Sequence, residues 1–69
     1  MKVEVIDRTD EFIILEVSSV GVPSKRVSVH IDAIMNGQTT LDEQMALALA
    51  DGEKRLARLQ AMNELLGVQ

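Results

Sequence analysis

The sequence predicts an α+β domain: a three-stranded antiparallel β-meander, with a fourth short strand left open, followed by one long C-terminal amphipathic α-helix. Three observations predict it. Runs of alternating or β-branched apolar residues fill the first 31 positions, divided by turn signals. The segment from Leu41 to Leu66 places apolar side chains at helical spacing. Thr40-Leu41-Asp42-Glu43 marks where that helix begins. With 69 residues the chain is one domain, residues 1–37 holding the meander and a helical turn or hairpin, and residues 40–66 the long helix.

Met1, Val3 and Val5 alternate with Lys2 and Glu4, the period of a half-buried strand. Asp7-Arg8-Thr9-Asp10 suits a turn. Glu11 to Ser18 is a second strand with Ile13, Leu15 and Val17 on one side and Phe12 and Ile14 on the other. A strand apolar on both sides is expected to be central or covered on both faces. Gly21 and Pro23 place a loop over residues 19–24, since proline lacks a ladder donor and restricts its predecessor. Lys25 to Ile31 resumes alternation, with Val27, Val29 and Ile31 inward and Arg26, Ser28 and His30 outward.

Asp32 to Gly37 admits two readings. One is a short helical turn capped by Asp32 and stopped at Gly37. The other is an Asn36-Gly37 hairpin into a fourth strand, Gln38 to Thr40. The helical turn is the favoured one.

In the long helix, the Thr40 hydroxyl is expected to accept from an orphan amide while Glu43 reaches back to the cap amide. Capping is favoured over a phosphorylation role for Thr39 and Thr40. Asp51-Gly52 resembles a turn, and glycine costs about 1 kcal/mol within a helix. Yet Leu41, Met45, Ala48, Leu49, Gly52, Leu56, Leu59 and Leu66 share one stripe at 100° per residue, with Gly52 at its centre. A break would put the two halves out of phase, so an unbroken helix is expected, with Gly52 permitting close approach. Asp51 is expected to pair with Arg55, four residues on. Gly67 is the expected stop.

Length then points to a surface. A helix of ~26 residues is ~39 Å long, whereas a seven-residue strand covers ~23 Å. About three turns must find another cover. Gly52, Leu56, Leu59, Met62, Leu65 and Leu66 are therefore the expected partner or dimer interface, with a homodimer as the simplest arrangement. Asn63 interrupts the heptad series Leu49, Leu56, Asn63, so a long coiled-coil seam is disfavoured. Met35, Met45 and Met62 are read as core filling before an adaptable contact surface.

Composition narrows the function classes. Phe12 is the sole aromatic and the net charge is −4, which disfavours base stacking and phosphate contacts; no nucleic-acid partner is expected. No apolar run approaches the ~20 residues needed to span a bilayer, so no membrane partner is expected. Glu4, Asp7 and Asp10 lie where a signal peptide would be apolar, and a cytoplasmic location is expected. With no cysteine and one histidine, neither a metal nor a cofactor is expected. The four glycines are isolated, the carboxylates dispersed, and His30 lies on the polar side of its strand. Lys54, Arg55 and Arg58 form a small basic patch beside Asp51 and Glu53. The expected function is a non-enzymatic protein–protein interaction module of the adaptor, assembly-factor or inhibitor type, self-associating through the distal helix. The alternative is a small enzyme or ligand-binding subunit whose pocket forms only at an oligomer interface. In size and in the chemistry it lacks, the chain resembles the compact accessory proteins that phages and other mobile elements encode, a likeness of type that no motif carries.

Overall fold

The computed structural model describes residues 1–67. Three strands, β1 (Lys2–Arg8), β2 (Phe12–Ser19) and β3 (Val22–His30), form one antiparallel sheet in the order β1-β2-β3. A short helix α1 (Ile31–Met35) follows, then α2 (Leu41–Leu66). The α+β architecture and the unbroken long helix are as the periodicity predicts.

β2 is central because hairpins join it to a strand on either side, and α2 covers only one of its two apolar faces. Leu15 pairs with Val5 on one side and Val27 on the other, so one face carries Ile13, Leu15, Val17, Val27 and Val29. That face receives α2. Leu15, Val17, Val29 and Ala48 are the fully buried apolar residues, flanked by Val3, Ile13, Val27, Ile34, Leu41 and Met45. The opposite face is open. There Phe12 stacks obliquely on His30 across the strands, ring centroids 4.4 Å apart. Glu16 meets Arg26 at 3.7 Å on the same side.

The turns explain the register. Between β1 and β2 the Thr9 hydroxyl accepts from the Phe12 amide at 2.9 Å and the Glu11 amide at 3.2 Å, closing the hairpin. Ile6 is bulged out of the ladder between Val5 and Asp7, an extra residue that strengthens local twist at an edge. β2 and β3 are joined by Val20-Gly21, Gly21 taking φ 79°. β3 thus begins at Val22, three residues before the expected Lys25. Pro23 did not prevent this because β3 is an edge strand, where a missing amide need not break a ladder.

Asn36-Gly37 is a helix stop, which leaves three strands and no fourth among the described residues. Ile31 opens α1 instead of ending β3, and its amide donates to the Glu11 carbonyl at 2.9 Å. Gly37 adopts φ 75° and its amide donates to the Ile34 carbonyl at 3.1 Å, the left-handed ending that favours glycine. Asp32 is not the cap of this turn; His30 holds that position and Asp32 sits in the first turn.

Thr40 caps α2, its hydroxyl accepting from the Glu43 amide at 3.1 Å. The Glu43 carboxylate does not return to the cap amide as expected. It accepts from the Thr39 hydroxyl at 3.1 Å, and Thr39 in turn accepts from the Gln44 side chain at 3.0 Å. The shift follows from having two adjacent hydroxyls, the first of which competes for the glutamate. Thr40→Ala is expected to cost about 1 kcal/mol and to lower the thermal midpoint by about 4–8 °C, read by far-ultraviolet circular dichroism. An unchanged midpoint would show that the cap adds nothing. Gly67, at φ 70°, ends the helix.

Candidate functional site

The sheet-facing stripe of α2 continues in phase past the end of the sheet. Gly52 is its last fully buried position. A Cβ there would stand 2.6 Å from Met1 Sδ and 2.7 Å from Val17 Cγ1, so the helix backbone lies directly on the sheet. One residue earlier, Asp51 meets Lys25 at 3.6 Å, and Lys25 pairs with Val17 across the sheet. These contacts place Gly52 at the end where β1 starts and the β2–β3 turn projects. The fourteen residues from Glu53 to Leu66 run on from there for about 21 Å.

Leu56 and Leu59 are half-buried, and every residue from Gln60 to Gly67 is exposed. Met62, Leu65 and Leu66 are 45%, 85% and 69% exposed. At 100° per residue Leu59 and Leu66 share a line, Leu56 lies about 60° to one side and Met62 about 60° to the other. Leu65 extends the patch beyond Met62. Upstream the same stripe is covered by Leu15, Val17 and Val29; past Val17 the sheet keeps only the first residue of β1, the last residues of β2, the first of β3 and the β2–β3 turn. Of the six expected interface residues, the structure brings Leu56, Leu59, Met62 and Leu66 to one face with Leu65 at its margin. Gly52 is different, because its close approach is made within the chain, to Met1 and Val17.

Arg55 lies in the same stripe. The expected Asp51–Arg55 pair is not made: the Asp51 carboxylate turns toward Lys25, since β3 presents that cation against the helix. Arg55 Nε is shielded from solvent and has no hydrogen-bond partner among the described residues, a circumstance worth roughly 1–3 kcal/mol of instability for a buried donor. Lys54 and Arg58 are exposed. The last turn of α2 carries no basic residue.

Two exposed apolar residues at the end of the sheet nearest Gly52 escape sequence reasoning. Val20, in the β2–β3 turn, is fully exposed, and Met1 is 41% exposed. Both line a shallow open depression with Lys2, Ser18 and Ser19. A β-branched apolar residue in a two-residue turn was the available signal, since packing within the hairpin does not require it there.

Among the described residues nothing else gathers into a chemical site. His30 is exposed and stacked on Phe12. Among the described residues, no three histidines, cysteines or carboxylates are placed to hold a metal ion. Of the three methionines expected to fill the core, Met45 alone packs against it; Met35 and Met62 are exposed, because α1 ends at Met35 and Met62 lies about 25 Å from Met45 along the helix, and the three form no common surface. No described helix is long and apolar enough to cross a membrane. Comparison with protein-family models, curated proteins and solved structures gave no match to this chain.

Proposed function

We propose that this chain is a non-enzymatic interaction module that self-associates through the distal half of α2, residues 56–66. The observation that carries this reading is the stripe of Leu56, Leu59, Met62 and Leu66 continuing beyond its own sheet. Size supports it. The chain exposes 5255 Å², whereas a compact monomer of 7.6 kDa exposes about 4,300 Å². Its radius of gyration is 14.4 Å against about 11 Å for a compact chain of this length. The surplus of about 950 Å² is close to the roughly 800 Å² that each partner contributes to a stable interface. A second copy offers the same apolar stripe and so satisfies both surfaces at once, the logic of a two-fold contact.

The test is absolute mass by light scattering, with refractive index as the concentration signal because the chain has neither Trp nor Tyr. A dimer is expected at micromolar concentration. Met62→Asp combined with Leu66→Asp is expected to weaken it at least about 30-fold, or about 2 kcal/mol. Both residues lie beyond the last sheet contact, so the circular dichroism spectrum and helix content should persist. A wild-type chain that stays monomeric at high concentration would overturn the proposal.

A further inference from the structure

We infer that the two copies pair their distal helices antiparallel, so that the C-terminal turn of each seats on Met1 and Val20 of the other. This rests on the self-association proposed above and adds its orientation and a second contact.

Charge argues for the direction. Lys54, Arg55 and Arg58 stand in the first half of the overhang. Glu64 stands in the second half, where the carbonyl end of the helix also carries partial negative charge and no basic residue offsets it. Of the two acids beside these cations, Asp51 is already held by Lys25, and Glu53 still leaves residues 53–59 with a net positive charge. A parallel pair would set cations beside cations and one carbonyl end beside the other. An antiparallel pair brings the cation-rich stretch of each helix level with Glu64 and the helix end of its mate, the complementary arrangement.

Coverage argues the same way. With Leu59 on the two-fold axis, Leu56 comes level with Met62 of the second copy, and Gly52 level with its Leu66. Gly52 is where Met1 lies on the helix, at the end of the sheet from which the β2–β3 turn projects. Leu65 and Leu66 of the second copy therefore arrive at Met1, Val20 and the shallow depression that they line. A parallel pair would leave Val20, the most exposed apolar side chain described, facing water.

The experiment uses the absence of native cysteine. A spin label on Leu66→Cys reports the distance between the two helix ends by pulsed electron paramagnetic resonance, with light scattering on the same sample confirming the dimer. Leu66 is seven positions along the helix from Leu59, so the antiparallel pair predicts a backbone separation of about 20–25 Å, and the parallel pair about 10 Å. A distance near 10 Å would overturn the orientation. Val20→Asp, in an exposed turn, is expected to weaken the dimer about tenfold without altering the circular dichroism spectrum. A dimer indifferent to Val20→Asp would overturn the seating of the C-terminal turn. A wild-type monomer would overturn the self-association beneath both.

Discussion

Leu15→Ala is expected to lower stability by about 2–5 kcal/mol, the range for emptying a buried leucine site. Leu15 is 0% exposed and is the one fully enclosed large side chain described. It sits on the central strand between Val5 and Val27, beneath α2. Among the described residues, Val17, Val29 and Ala48 are the other buried apolar side chains, so few neighbours can move in to fill the space. A chain of this length has a total stability of roughly 3–10 kcal/mol. The loss is thus a large part of the whole, and the thermal midpoint should fall by at least about 10 °C. Thermal unfolding followed by far-ultraviolet circular dichroism measures it. Val5→Ala is the control, because Val5 faces Leu15 but is 48% exposed at the sheet edge; its cost should stay below about 1 kcal/mol. Similar losses for both variants would mean that the core is not centred on Leu15.

The second large effect is at Gly52. Helix propensity alone favours replacement, since alanine gains about 1 kcal/mol over glycine inside a helix. Packing opposes it. The new Cβ would meet Val17 Cγ1 at 2.7 Å and Met1 Sδ at 2.6 Å. The end of Met1 is a flexible side chain with room to turn outward. Val17 is 2% exposed and held within the central strand, so it cannot yield without moving the sheet. Overpacking of this kind costs typically 1–3 kcal/mol, enough to cancel or exceed the propensity gain for Gly52→Ala. For Gly52→Leu there is no space for three further carbons, and a loss of about 3 kcal/mol is expected. Urea titration of both variants gives the values. A Gly52→Ala chain more stable than wild type by the full propensity gain would show that α2 rides higher above β2.

Both predictions concern a domain with little in reserve. Folding removes about half of the roughly 11,000 Å² an extended chain of this mass exposes, where domains near this length remove about 60%. No disulfide is available. The proposed pairing of distal helices would supply the missing burial, and stability should then rise with protein concentration, as for any associating folded state.

Much of the fold was legible because its signals are local. The capping threonine, the left-handed glycines at 37 and 67, and the single-phase stripe from Leu41 to Leu66 are each written within a few turns of chain. Each appears in the structure. The strand limits were less legible. Pro23 reads as a breaker until β3 is known to be an edge strand, and strand order is a property of the sheet. The Ile6 bulge is likewise invisible in an alternation that only the pairing with β2 interrupts. At the candidate surface, the overhang of Leu59, Met62 and Leu66 followed from length alone, because helix rise and strand rise are constants of the backbone.

By itself, then, the sequence determined that α2 is continuous, where it begins and ends, and that it outreaches its sheet. Tertiary structure alone decided which residues meet across the helix and the sheet. It set Asp51 against Lys25 instead of Arg55, brought Met1 onto Gly52, and left Val20 fully exposed in the β2–β3 turn. The reason is that these contacts join residues far apart in the chain, whose meeting depends on strand order and on how closely a helix settles on a sheet. Periodicity records the face a residue occupies and is silent about what lies opposite it.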